Sequence, residues 1–119
     1  MTPFGQLMRQ WRAEKNTTLS EQAAYLDVSA AYLSALEHGH KGMPSFAMVD
    51  QICVYFDLIW DEAEAVKEAA QLSHPKPTID ASGLSAEAVR VANLLANVID
   101  RLSEEACSEI AEEISQRLR

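Results

Sequence analysis

Few side chains in this sequence are placed to make or break a bond. His38, His40 and His74 have no carboxylate or cysteine at the spacing a metal ion needs. Cys53 and Cys107 lie far apart, each on an apolar helix face, which fits structural thiols in a reducing compartment. Glu104, Glu105, Glu109, Glu112 and Glu113 crowd one segment, but no pocket converges on them, so they read as a solvated face. Nothing resembles a Gly-rich phosphate loop or a nucleophile beside its base. No catalysis and no cofactor are expected. What remains is recognition. Between Ser29 and Lys41, the polar side chains of Ser29, Tyr32, Ser34, His38, His40 and Lys41 are interleaved with the small Ala30, Ala31 and Ala35.

The elements that must hold these residues run from Thr18 to Gly39, TLSEQAAYLDVSAAYLSALEHG. Leu19, Ala23 and Leu26 recur at i, i+4 and i+7, one apolar face of a short helix. A break at Leu26-Asp27-Val28-Ser29 leads to a second helix that Ser29 caps, Leu33 and Leu36 anchor and Gly39 stops. Two short helices joined by a tight turn, the second rich in small residues, form the helix-turn-helix used by DNA readers.

The stretch resembles the helix-turn-helix of the XRE family, the lambda-repressor and Cro-like domains. Ala23, the Val28-Ser29 pair after the turn, Tyr32-Leu33-Ser34 and Leu36-Glu37-x-Gly39 carry the resemblance. Phe4-Gly5 and Arg9-x-x-Arg12 extend it before the motif, and Pro44-Ser45 after it, to cover roughly residues 3 to 72. It implies an all-α, five-helix domain in which Arg12 pairs with Glu37, tying the first helix to the end of the recognition helix. It also implies that Ala30, Ala31 and Ala35 stand where family members reach base edges. Alanine makes no bidentate hydrogen bond to a base, but it can touch a thymine methyl and lets the helix approach closely. Tyr32 and Ser34 then fall at phosphate-contact positions, with His40-Lys41 as a backbone anchor after the helix and Arg9 as a further cation. Two positions depart from the family pattern. Gln22 stands where Leu or Val is usual and must find a partner or tilt its helix toward water. Asp27 stands where Gly is usual and must tolerate a left-handed backbone.

The whole chain sets bounds on this picture. Its 119 residues suffice for one small domain with an appendage. No apolar run approaches the roughly 20 residues of a membrane span, and no signal segment is evident, so a cytoplasmic protein is expected. The net charge of −8 is unusual for a DNA binder, yet residues 1–60 carry only −2 of it and residues 61–119 carry −6.

In order along the chain, Thr2 and Pro3 open a first helix whose Phe4, Leu7, Met8 and Trp11 face inward. Thr18 caps the second helix. Ser45 caps a fourth, buried through Val49, Ile52, Cys53 and Phe56. Asp61 is expected to cap a fifth that runs to about Ser73, with Ala63, Val66 and Ala70 inward. Residues 1–73 thus form the helix-turn-helix domain, and 74–83, with Pro75, Pro77 and Gly83, a linker. Residues 84–119 read as a helical hairpin. Ser85 opens one helix striped by Ala88, Val91, Ala92, Leu95, Val98, Ile99 and Leu102. Ser103 opens the next, with a Leu102–Cys107 staple and an Ile110, Ala111, Ile114, Leu118 stripe. Two such helices cannot cover both stripes alone, so the hairpin is expected to pair with a second copy or pack on the first domain.

The function expected is a sequence-specific transcriptional regulator, a repressor in the first instance, that binds double-stranded DNA as a homodimer through residues 84–118. The rival expectation is a protein-binding antiactivator or antitoxin-like regulator that uses the same scaffold, or the hairpin, to sequester a protein partner.

Overall fold

Hydroxyl side chains decide where most helices of this chain begin. In the computed structural model, which describes residues 1–118, Thr2, Thr18, Ser29 and Ser45 each accept a hydrogen bond from the backbone three residues on. They open α1 (Pro3–Glu14), α2 (Leu19–Tyr25), α3 (Ala30–Glu37) and α4 (Phe46–Phe56). Each such cap contributes about 1 kcal/mol relative to alanine. At Thr18 the bond is reciprocal, since Glu21 also accepts from the Thr18 N–H. Among the described residues the structure is all-helical, with one isolated bridge between His40 and Gly42.

The fifth helix, α5 (Asp61–Gln71), begins differently from expectation. Asp61 is its first residue rather than its cap. The cap position belongs to Trp60, which offers no side-chain acceptor and has φ 54° and ψ −125°. The chain enters α5 through a turn closed by the Glu62 N–H on the Ile59 carbonyl, so the helix starts before Asp61 can sit outside it. The helix also ends at Gln71, short of Ser73. Ser73 is buried instead, accepting from the Phe4 N–H at 2.9 Å and donating to the Ala69 carbonyl. It joins the start of α1 to the end of α5.

Chain contacts divide the molecule after Pro77. In the first unit, Met1–Pro77, the expected stripes meet in one core of Phe4, Met8, Ala23, Leu26, Leu33, Leu36, Val49, Ile52, Phe56, Leu58, Val66 and Ala70. Leu7, Trp11 and Leu19 pack against it half-buried.

The second unit, from Thr78 onward, holds α6 (Ala86–Val98), a 3-10 turn (Ile99–Arg101) and α7 (Glu104–Arg117). Ser85 and Ser103 cap the two helices. The stripe expected to run unbroken from Ala88 to Leu102 is interrupted. Ser103 caps α7 from extended backbone, so Leu102 must leave the helix (ψ 138°), and the 3-10 turn tightens the exit. Val91 and Ile99 are 53% and 55% exposed. No residue of α6 or α7 is fully buried. Leu95, Ile99, Leu102, Cys107, Ile110 and Ile114 line an open apolar cleft.

Candidate nucleic-acid interface

The turn between α2 and α3 is built from backbone hydrogen bonds. Val28 N–H donates to the Ala23 carbonyl at 3.0 Å and Asp27 N–H to the Ala24 carbonyl at 3.2 Å, the paired bonds of a Schellman stop. Asp27 supplies the left-handed residue that this stop needs, at φ 58°, so the missing glycine is tolerated. Val28 follows half-buried against the core, and Ser29 then caps α3. The same pair of bonds ends α3. His40 N–H reaches the Ala35 carbonyl and Gly39 N–H that of Leu36, with Gly39 at φ 80°.

Glu37, the last residue of α3, fixes the helix to α1 from two sides. Its carboxylate receives both guanidinium nitrogens of Arg12, at 2.6 and 2.8 Å. The two side chains are only 10% and 3% exposed. Its backbone carbonyl accepts from the N–H and the hydroxyl of Thr2, at 3.1 and 2.9 Å. Gly5 lets the helices come this close, because a Cβ there would lie 2.2 Å from the Glu37 oxygen. Arg12 also donates to Gln22 Oε1 at 2.7 Å, and Gln22 Nε2 meets Met8 Sδ at 3.5 Å. Of the two fates open to Gln22, the structure takes the first. The amide is fully buried and partnered, and α1, α2 and α3 share one hydrogen-bonded node.

With Leu33, Leu36 and Glu37 turned inward, α3 presents Ala31, Ser34, Ala35 and His38 at i, i+3, i+4 and i+7. Ala31 and His38 are exposed, while Ser34 and Ala35 are half-buried. Tyr32 flanks the stripe, 40% exposed. Ala30 differs from the others, since it packs half-buried on the core. The Ser29 oxygen is engaged by the Tyr32 N–H. His38 Nδ1 lies 2.8 Å from the Ser34 carbonyl, which can only accept, so Nδ1 carries the hydrogen and Nε2 is left for an outside partner. His40 stands 6.1 Å from it, ring centre to ring centre, and Lys41 follows, exposed. Arg9 is exposed on α1. From Ser29 to Lys41 the sequence holds one acid, Glu37, and that acid is buried against Arg12. The outward side of this stretch therefore shows Lys41, two imidazoles, hydroxyls and methyls, with no carboxylate.

The capped α2–turn–α3 pair, held by its node to α1, is matched by the model of the helix-turn-helix family over residues 8–59. The match takes in less than half of the chain and places a helix-turn-helix within it. The domain is similar to that of an uncharacterised HTH-type transcriptional regulator, RghRB of Bacillus subtilis (strain 168). The two are 29% identical over 65 residues, 55% of this chain and 47% of the relative. It is also similar to the HTH-type transcriptional repressor RghR of the same organism, 36% identical over 52 residues, 44% of this chain and 38% of the relative. The chain thus spans less than half the length of either. No solved structure matches it significantly.

Beyond the helix-turn-helix domain, the described residues include no group of three or more His, Cys, Asp or Glu able to hold a metal ion. No helix among them is long and apolar enough to cross a membrane. Cys53 is a free, buried thiol whose pKa is pushed up, chiefly by burial, although Lys67 pulls the other way. The sequence marks Gln22 as needing a partner and Gly5 as part of the family resemblance, but it does not reveal their common node, because their partners lie on other helices.

Proposed function

We propose that this protein is a transcriptional regulator that reads double-stranded DNA with α3 and acts as a homodimer. The observation that carries the reading is the outward side of Ser29–Lys41, free of exposed carboxylates in a chain of net charge −8. An eight-residue helix fits the major groove. Ala31 and Ala35 allow a close approach and methyl contact. Ser29, Tyr32, Ser34, His40, Lys41 and Arg9 are the donors for phosphates, His38 offers Nε2 as an acceptor toward the groove, and Ala30 serves to seat the helix. With no bidentate base contact on offer, discrimination rests on thymine methyls and groove width.

Residues 1–73 are the reading domain in this account, 74–83 the linker and 84–118 the pairing element. The apolar cleft left open between α6 and α7 supports pairing with a second copy, which would set two copies of α3 about 34 Å apart, one turn of the duplex. Repression is the reading supported by the name of RghR. A second reading, a protein-sequestering antiactivator or antitoxin-like role, is favoured by the absence of bidentate side chains at Ala31 and Ala35. The experiment that separates the two is selection from random duplexes at low salt, in which an enriched, A·T-rich, two-fold-related sequence supports DNA reading and an unenriched pool supports the protein partner.

A further inference from the structure

The most exposed large apolar side chain of the first unit lies far from α3 in the sequence. Trp60 is 81% exposed and its neighbour Ile59 62%. The backbone there is costly. Glu62 N–H closes on the Ile59 carbonyl at 3.3 Å, and Trp60, at φ 54° and ψ −125°, occupies the first central position of a type II′ turn. That position favours glycine, because a Cβ crowds the neighbouring backbone. A bulky indole held at a glycine position, and left in solvent, contributes nothing to the core that would offset the strain.

The charges around it identify what would cover it. Asp57 precedes the turn and Asp61 and Glu62 follow, all exposed, and none has an ion-pair partner among the described residues. No Lys or Arg occurs between Lys41 and Lys67. Asp61 and Glu62 also suit the positive end of α5, and Asp57 supplies the left-handed stop of α4, but neither use accounts for the exposed ring. Phosphates of nucleic acid or of an anionic membrane are repelled here. A second copy related by a two-fold axis would set like-charged rims against each other. A basic protein segment meets both features, since a guanidinium or ammonium stacks on an indole face and its neighbours pair with the carboxylates.

We propose that the Ile59–Trp60 turn is a docking knob for a basic segment of a different protein, seated with an arginine or lysine over the Trp60 indole and its other cations against Asp57, Asp61 and Glu62. This contact uses none of the residues of the α3 surface, and it stands whether or not α3 reads DNA.

The test is a titration of the full-length, 15N-labelled protein with a synthetic peptide of alternating arginine and leucine, followed through the two indole N–H resonances. The Trp60 resonance shifts saturably while that of Trp11, packed against the core, stays in place. The joint variant Asp61→Asn, Glu62→Gln weakens binding by about two- to fivefold, the range of exposed ion pairs. Trp60→Gly, followed through the backbone amide resonances of Asp57, Asp61 and Glu62, abolishes their saturable shift and raises the melting temperature, since glycine relieves the turn. An unmoved Trp60 resonance, or an equal shift with glutamate in place of arginine, overturns the proposal. So does a Trp60 resonance that moves with protein concentration alone, which assigns the knob to a second copy.

Discussion

Replacing Arg12 by alanine removes one side chain and strands two others. Glu37 loses both of its carboxylate hydrogen bonds and Gln22 loses its acceptor bond, all inside the protein. A surface ion pair of the same length would contribute at most about 1 kcal/mol. Here the side chains are 10% and 3% exposed, so the cost is that of an unpaired buried charge, about 3–5 kcal/mol. For a domain of this size each kcal/mol moves Tm by about 4–8 °C, which gives a fall of about 12–40 °C. Arg9→Ala, an exposed change on the same helix, should stay within about 0.5 kcal/mol. Joint replacement by Arg12→Met and Glu37→Leu should recover most of the loss, less about 1–3 kcal/mol for the Gln22 carbonyl. Thermal and urea melts followed by circular dichroism measure all four proteins. Equal midpoints for Arg12→Ala and Arg9→Ala would refute the reasoning, because the node would then be two solvated charges.

Gly5→Ala should destabilise by about 1–3 kcal/mol or more, although alanine is the better helix former by about 1 kcal/mol, because its Cβ would sit 2.2 Å from the Glu37 oxygen; a urea melt reads the sign. Cys53, raised above the ordinary thiol value of 9.0 by burial, should resist a thiol reagent at pH 8 in the native protein while half-exposed Cys107 reacts, a one-equivalent result that becomes two in denaturant. The raised thiol pKa also means that this group's contribution to stability is fully present below the unfolded value and declines as pH rises through the folded one. Ile110→Glu with Ile114→Glu should turn a dimer into a monomer in light scattering at tens of micromolar, leaving helicity of the first unit intact. A full-length protein that is monomeric before the change removes the pairing role from α6 and α7.

Local signals in this chain were readable and long-range ones were not. Thr2, Thr18, Ser29, Ser45, Ser85 and Ser103 all cap helices, because a cap depends only on three following residues. Asp27 takes its left-handed conformation for a similarly local reason. Arg12 and Glu37 could be paired only through the family resemblance, since 25 residues separate them. Gln22 is legible as a polar residue in need of a partner and Gly5 as part of the family resemblance, but the node that joins them depends on three helices meeting. Asp61 misled because an acid before an apolar stripe looks like a cap, while the turn at Trp60 had already started the helix. The stripe from Ala88 to Leu102 misled because apolar spacing does not reveal a 3-10 exit. Ala30 was grouped with Ala31 and Ala35 by position, but its side of α3 packs half-buried on the core.

Whether α3 reads DNA is decided most directly by a shift assay on duplexes selected at low salt, comparing the unchanged protein with Lys41→Ala and Ala31→Glu. Ala31 is exposed on α3, so Ala31→Glu should leave the fold intact and set a carboxylate against the groove. The account predicts that Ala31→Glu abolishes the shift, that Lys41→Ala weakens every sequence alike, and that binding by the unchanged protein fades steeply as salt rises. A pool with no enriched sequence, together with an Ala31→Glu variant that behaves as the unchanged protein does, would contradict it.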